Sequence, residues 1–408
     1  MEENKNLGHL KLVAIILGVL FALVILPSNV KSIAIGVFSV VSFVYALRRK
    51  WFFDRYFFLT NSIVFLLILC TLFYSEDMDY AGKRLLGMAS LVLFPFIFSL
   101  FTKEEATYIF KFLNKYLWVY ILAVFSFNLL PFLWLWATRF EFSEMLIHFQ
   151  TVMMDQMGKF SIHPIYLAMH CGAAMLCSFY LIQKTKKKGI IALLLAIDLT
   201  LLLFLLMYAR KGPIIALFAV FTLYVLFQYK KGYLRMYLAG IGLLVLLIVA
   251  IPKTRERFTE LYKIENLDQG EVTSTNIRYS IFNTATSLIG QSTIFGYGIG
   301  DYNHVLKEQY KKNGDTMLYD GNYNAHNQYL SMLLIGGVVL FLAFMFTFGM
   351  NMIYAIRFDN QVFILLIVFY SIVMLTENIL EREDGVIFFA FFLNFFALKS
   401  LYQRVESN

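Results

Sequence analysis

Long apolar runs are the feature that most constrains how this chain of 408 residues can fold. A helix needs about 20 mostly apolar residues to cross the hydrocarbon core of a bilayer. A soluble chain carries about 25% charged residues, whereas this one carries 15% and is 60% hydrophobic. The sequence therefore predicts an all-α polytopic membrane protein with about 12 transmembrane helices. The predicted spans are 10–26, 30–47, 56–73, 85–101, 117–136, 162–182, 189–209, 212–228, 236–251, 327–348, 361–378 and 386–400.

The lysines and arginines between the spans predict the orientation of the chain. With the N-terminus in the cytoplasm, the cytoplasmic segments hold more than twice as many basic residues as the short outer loops. Membrane proteins show this same bias. Both termini are then cytoplasmic, including the tail after Lys399 and the segment Lys230–Arg235. The net charge of +8 follows from this bias, so no nucleic-acid partner is expected.

The chain divides at one long polar segment, which this orientation places outside. Residues 1–251 are predicted to hold transmembrane helices one to nine, 252–325 the large outer loop, and 326–408 the last three spans. In the loop, apolar residues recur at helical spacing from Asn276 to Leu288, with Ser274 as the N-cap. This predicts a short amphipathic helix at the outer interface. A glycine-rich turn, 295–301, follows it.

Three positions on the predicted outer side could carry chemistry. Arg210 and Lys211 lie in a tight turn between two apolar runs, where charge is costly. Either the two residues are functional, or their side chains extend to the lipid headgroups. Arg278 lies on the amphipathic helix, facing either a ligand or solvent. His326 lies where the long loop returns to the membrane, as a plain interfacial residue or as a base, since imidazole titrates near neutral pH.

The combination of two arginines and a histidine suits a diphosphate with a hydroxyl acceptor. Guanidinium binds phosphate oxygens bidentately and stays charged, and it would stabilise a diphosphate leaving group. The imidazole would take the proton of the attacking hydroxyl. No metal-ligand cluster is visible in the sequence, so arginines are expected in place of a divalent ion, and neither a metal nor another cofactor is expected.

Three stretches of this sequence resemble the O-antigen ligase and polymerase superfamily of bacterial envelope glycosyltransferases. They lie within a core region of about 190–350. The stretch 208–216 is similar to the family's arginine segment between two spans, 278–302 to its arginine helix and glycine-rich turn, and 325–330 with Gly337 to its histidine–asparagine motif. The chain departs from the pattern at Ala209, Lys211 and Leu340, and the last of these bears on the choice between ligase and polymerase.

The resemblance implies a C-type glycosyltransferase-like fold with a large periplasmic loop in the bacterial inner membrane. It also implies transfer of a glycan from undecaprenyl diphosphate to a lipid A-core sugar. Arg210 and Arg278, with Lys211, would bind the diphosphate, and His326 would be the base. A repeat-unit polymerase, which uses a lipid-linked glycan as acceptor, and a small-anion transporter remain open, as does the oligomeric state.

Further candidates for substrate contact lie on the same predicted side. Arg84 could bind phosphate or anchor to headgroups. His163 with Tyr166 resembles an element of some relatives and could bind the acceptor or cap a helix, and Asn327 could contact substrate beside His326. The acidic group Glu377, Glu381, Glu383 and Asp384 is expected to be solvated, with sugar binding as the alternative.

Overall fold

The computed structural model describes residues 2–228, 231–262 and 272–402, and every regular element in these ranges is a helix. Three parts of the sequence interpretation therefore lie outside the described residues. These are Lys230 of the predicted cytoplasmic segment, residues 263–271 of the outer loop and the cytoplasmic tail after 402.

Ten α-helices form the first half of the chain. They are α1 (Glu2–Leu20), α2 (Ser28–Leu47), α3 (Arg55–Cys70), α4 (Met78–Met88), α5 (Ser90–Ser99), α6 (Lys103–Phe110), α7 (Leu113–Thr138), α8 (Phe142–Gln156), α9 (Pro164–Lys184) and α10 (Lys188–Met207).

Nine α-helices follow among the described residues of the second half. They are α11 (Lys211–Phe227), α12 (Lys231–Ala250), α13 (Pro252–Thr259), α14 (Ser274–Gln291), α15 (Tyr302–Lys312), α16 (Thr316–Asp320), α17 (Gln328–Arg357), α18 (Gln361–Val373) and α19 (Glu383–Tyr402).

The lengths of these helices confirm a polytopic membrane chain. Seven of the described helices are long and apolar enough to cross a membrane, and nine spans result if each of two bent helix pairs counts as one. The pairs are α4 with α5, bent by 41°, and α12 with α13, bent by 98°. This number is below the predicted twelve because Gly8–Leu20, α11 and α18 are apolar but shorter than a full span.

Helices α19 and α9 form the centre of the bundle. In α19, 89% of the most apolar window is buried, and in α9 78%. A helix that is apolar on all sides is one that other helices surround, and α19 carries Phe388, Phe391, Phe392 and Phe395, all nearly inaccessible. The ring of Phe21 packs edge-on against Phe391 and Phe395, which joins the N-terminal helix to this centre.

A break in α17 fixes the long polar loop that precedes this helix against the bundle. Gly336 and Gly337 are non-helical, and Gly337 has a φ of 62°. The glycine-rich turn fills this break, because the amides of Tyr297 and Gly298 donate to the carbonyls of Leu334 and Ile335 at 2.7 and 2.8 Å. The freed backbone groups of a broken membrane helix need such partners. The turn therefore holds the C-terminal end of α14 beside α17.

The structure modifies the predicted loop in two respects. The amphipathic helix is confirmed as α14, which buries Ile281, Ala285 and Leu288, but its N-cap is Thr273, whose Oγ1 accepts from the Asn276 amide at 3.1 Å. The predicted cap Ser274 was wrong because its hydroxyl instead donates to a neighbouring carboxylate. Helices α8, α13, α15 and α16 were not predicted, since they are short or mixed in polarity.

Candidate active site

The connection between α10 and α11 is only three residues long, and it places Arg210 at one end of the bundle. Tyr208 is fully buried and donates to Asn128 Oδ1 at 2.6 Å, while Ala209 adopts a left-handed φ of 51°. Gly212 then packs so closely on Thr376 that any Cβ would overlap with the threonine hydroxyl. This contact brings the start of α11 against the loop that follows α18.

Arg278 reaches the same loop from α14. Its Nη2 donates to Glu377 Oε1 at 2.6 Å, and the two side chains form an ion pair. Its Nη1 lies 3.5 Å from the Ser274 carbonyl, one turn earlier in α14. The Nε atoms of Arg278 and Arg210 are buried and have no hydrogen-bond partner among the described residues. Both guanidiniums therefore keep donors for a further acceptor.

His326 lies on the third segment that converges here, just before α17. Its φ of 44° is left-handed, and its amide donates to Asn324 Oδ1 at 3.1 Å. Its Nδ1 is 3.6 Å from Glu377 Oε2, beyond hydrogen-bond distance, and the side chain is 28% exposed. The imidazole is thus held at the edge of the site, with one face open.

Glu377 is the group on which the three predicted residues converge, and we call Glu377 with Arg210, Arg278 and His326 the Glu377 cluster. Burial alone would raise the pKa of Glu377, but His326, Arg278 and Arg210 lower it to about 2. The carboxylate is therefore ionised at any physiological pH. Arg278 pairs with this carboxylate and Arg210 acts on it through its charge, so the cluster retains an excess of positive charge.

The electrostatics of Arg210 are consistent with this excess. Burial lowers the pKa of its guanidinium, Glu377 opposes that effect, and the charges of Arg257 and Arg278 add to it. Cations held together against burial and mutual repulsion favour an anion between them. What this arrangement can do chemically is bind an anionic group beside an imidazole.

His163 and Tyr166 border the cluster from α9. His163 caps that helix, since its Nδ1 accepts from the Ile165 amide at 3.4 Å. Burial lowers the pKa of His163 to about 4, and the charges of Arg210 and Arg382 contribute. Tyr166 is 4% exposed, and its ring lies 6.2 Å from that of His163. Both residues are therefore beside the cluster rather than distant from it.

Lys211 and Asn327 have partners of their own. Lys211 Nζ donates to Glu260 Oε2 at 2.8 Å and to Thr275 Oγ1 at 2.6 Å, which ties α11 to the outer segment. Asn327 caps α17 by accepting from the Tyr329 and Leu330 amides. Both side chains thus make structural contacts next to the Glu377 cluster.

Arg84 joins a second polar group, which is centred on Glu381. It pairs with the Glu381 carboxylate and donates to the Tyr302 hydroxyl at 2.6 Å. The same carboxylate accepts from Asn324 Nδ2 at 2.9 Å and from Ser331 Oγ at 3.1 Å. Because Asn324 also binds the His326 amide, Arg84 supports the loop that carries the imidazole.

Sequence reasoning missed Glu377, which it assigned to a solvated acidic loop. Helix α18 ends at Val373 rather than 378, and the chain then turns inward, so that Glu377 is only 12% exposed. The available signal was charge balance, because two partly buried arginines need a carboxylate nearby.

An apolar cavity lies between α9, α10, α11 and α12, close to Arg210. It contains about 300 Å³ of open space. Leu205 and Ile214, on either side of Arg210 in the sequence, line it. The acidic Asp198 also lines it and accepts from Ser178 Oγ at 2.8 Å. Its other lining residues include Met175, Phe179, Leu202, Leu217, Phe221, Tyr237 and Leu244.

The fold and the cluster define a polytopic helical membrane protein with a cationic site at one end of its bundle. Residues 195–345 match the family model described as O-antigen ligase. Over these residues the chain therefore resembles the O-antigen ligase and polymerase superfamily, whose members are membrane enzymes of the glycosyltransferase type. The matched region contains Arg210, Arg278 and His326. A search of the curated proteins finds no match to this chain.

Proposed function

We propose that this chain is a membrane glycosyltransferase of the O-antigen ligase type. It moves a glycan from undecaprenyl diphosphate to a sugar hydroxyl of lipid A-core on the periplasmic face of the bacterial inner membrane. The observation that carries the proposal is the convergence of Arg210, Arg278 and His326 on Glu377. Arg210, Arg278 and His326 also lie inside the region that matches the O-antigen ligase family model.

The chemistry of the transfer follows from these groups. His326 accepts the proton of the acceptor hydroxyl, and that oxygen forms a bond to the anomeric carbon of the donor glycan. The bond from this carbon to the diphosphate oxygen breaks, and its electron pair stays on the diphosphate. Arg210 and Arg278 stabilise the developing negative charge, and a base positioned in this way contributes about 10²- to 10⁴-fold in rate.

The start of the donor's isoprenoid chain, next to the diphosphate, fits the apolar cavity beside Arg210. An isoprenoid chain is apolar along its length, so its burial there is favourable, while its diphosphate reaches the arginines. Leu205 and Ile214 lie within five residues of Arg210 on α10 and α11, which supports continuity between the lipid and diphosphate sites. A small-anion transporter would not require an apolar cavity next to its anion site.

The proposed function requires the Glu377 cluster to be periplasmic. We propose twelve membrane-crossing segments, made of the seven long helices, the bent pair of α4 with α5, the helix α12 without α13, and the three shorter apolar helices. Both termini are then cytoplasmic. Residues 252–325 form the large periplasmic loop, which separates spans one to nine from spans ten to twelve.

Analysis of envelope glycans in a deletion strain tests this proposal. A ligase predicts full-length polymer that stays on the lipid carrier, whereas a polymerase of the same superfamily predicts single repeat units attached to the core. Reintroduced Arg210→Ala, Arg278→Ala and His326→Ala variants should each fail to restore transfer at normal protein level. If all three restore it, the proposal is wrong, and anion uptake by the purified protein in liposomes would then favour a transporter.

A further inference from the structure

We propose that Glu377 is a positioning residue that changes partner during the reaction. It pairs with Arg278 before the diphosphate binds. Once a diphosphate oxygen has replaced it as the acceptor from Arg278, Glu377 pairs with the Nδ1–H of His326. This inference rests on the proposed function. It adds that the base becomes oriented only when the donor is bound.

The geometry of Glu377 supports two alternative partners. Its Oε1 accepts from Arg278 at 2.6 Å, while its Oε2 is 3.6 Å from His326 Nδ1. The first distance is that of a strong charge-assisted hydrogen bond, whereas the second is too long for any hydrogen bond. A shift of about 0.7 Å toward the imidazole would bring Oε2 into hydrogen-bond distance of Nδ1.

The diphosphate supplies the reason for the change. A diphosphate carries more negative charge than a single carboxylate. It would compete for the same Nη2–H of Arg278, as well as for the unpartnered Nε atoms of Arg278 and Arg210. Once these donors bind phosphate, Glu377 loses its main partner. The imidazole of His326 then remains 3.6 Å away as a donor, and its Nδ1 has no hydrogen-bond partner among the described residues.

Pairing with Glu377 determines which nitrogen of His326 can act as the base. A carboxylate beside Nδ1 keeps the proton there, so the lone pair lies on Nε2, the nitrogen directed away from Glu377. The carboxylate also stabilises the imidazolium that forms when Nε2 takes the proton of the acceptor. The base is therefore correctly oriented only after the donor has bound.

Charged or titratable groups approach Glu377 from several segments. Arg210 approaches from the α10–α11 connection, Arg278 from α14 and His326 from the segment before α17. His163 and Tyr166 are within electrostatic range from α9. Since the cations outnumber this single carboxylate, its removal should raise the affinity of the site for anions and lower the rate of transfer.

The Glu377→Gln variant tests the inference with two measurements of opposite sign. Inorganic pyrophosphate should bind the purified variant in lipid nanodiscs about tenfold more tightly than it binds the wild type, the ratio expected for removal of one competing ion pair. Glycan transfer in the complemented deletion strain should nonetheless fall by about 100-fold or more, as when a triad carboxylate is replaced by its amide. A merely structural role would weaken both.

Nitrogen NMR of labelled histidine gives a third readout. With pyrophosphate bound, His326 should carry its proton on Nδ1 in the wild type and lose this preference in Glu377→Gln. Glu377→Asp, which restores the charge, should return the pyrophosphate affinity toward the wild-type value. Glu383→Gln is the matched control, because Glu383 is exposed and contacts Ser32, and it should change neither affinity nor transfer.

The outcomes separate this inference from the proposed function. If the wild type binds no pyrophosphate and transfers no glycan, the proposed function is wrong and the inference with it. If the wild type does both, but Glu377→Gln shows unchanged or weaker pyrophosphate binding and keeps the Nδ1–H tautomer, only the role of Glu377 is wrong.

Discussion

Gly337 lies so close to Ile294 that a Cβ atom on the glycine would overlap with the isoleucine carbonyl. The contact joins the break in α17 to the start of the glycine-rich turn. It is reinforced by the amide of Val338, which donates to the Thr293 carbonyl at 2.9 Å. Because α14 carries Arg278 and the segment before α17 carries His326, this contact couples the positions of two residues of the candidate site.

We predict that Gly337→Ala destabilises the protein and lowers transfer. The residue has a φ of 62° and a ψ of −157°, a backbone conformation that residues with a side chain rarely adopt. The added methyl group also has no space. Together these should cost about 2 kcal/mol or more in the free energy of unfolding. Thermal unfolding in detergent measures the loss.

Gly349→Ala, in the same helix, is the control for this variant. A Cβ there meets no atom within 4 Å, and alanine favours helix over glycine by up to about 1 kcal/mol. Gly349→Ala should therefore be neutral or stabilising. Equal behaviour of the two variants would show that the contact with Ile294 does not matter for stability.

Much of the helical fold could be predicted from the sequence because apolar length is a strong signal. Each predicted span coincides with an apolar helix or a bent pair. The sequence did not reveal the bend between α12 and α13 or the helix α8, since both depend on packing rather than on hydropathy. Nor did it show that the glycine-rich turn fills the break in α17, because that contact joins residues distant in sequence.

The site could be predicted in part. Arg210 and Arg278 were identifiable because buried or interfacial cations are costly. Glu377 was not, because an acidic residue after an apolar run is ordinarily solvated, and only the three-dimensional fold turns it toward the arginines. For Lys211 the structure adds a partner, Glu260, that lies 49 residues away in the sequence.

We predict that Arg278→Lys lowers transfer by about 10²- to 10³-fold, the cost of losing one donor to a developing anion. Lysine keeps the charge but not the planar group that binds two phosphate oxygens at once. Transfer in membranes and binding of pyrophosphate should fall together. Arg139→Lys is the control, since Arg139 is exposed and contacts Trp134 and Gln156; an equal loss there would refute a specific role for Arg278.

We predict that His326→Gln separates binding from chemistry. Loss of the base should reduce the rate of transfer by about 10²- to 10⁴-fold, whereas pyrophosphate affinity should remain within a few-fold of the wild type. His304→Gln, on the exposed face of α15, should leave the rate unchanged. A His326→Gln protein that transfers glycan at the wild-type rate would rule out the imidazole as the base.

The pH dependence of stability should report on His163. Its pKa is lowered from 6.5 to about 4 by burial and by the charges of Arg210 and Arg382, so the folded state favours the neutral ring. The resulting stability is complete above pH 6.5 and declines as pH falls toward 4. In His163→Asn, which retains an oxygen to cap α9, unfolding should depend less on pH in this window. The same pH dependence in both proteins would contradict the assignment.

The apolar cavity yields a prediction that distinguishes the lipid from the diphosphate. Leu202 lines the cavity on α10, so Leu202→Trp should fill part of it and weaken binding of undecaprenyl diphosphate, while inorganic pyrophosphate binds as before. Leu203 is the matched control, because it is 37% exposed and does not line the cavity. Competition between the lipid and pyrophosphate in nanodiscs measures both affinities. If Leu202→Trp binds the lipid as tightly as Leu203→Trp does, the isoprenoid chain lies elsewhere.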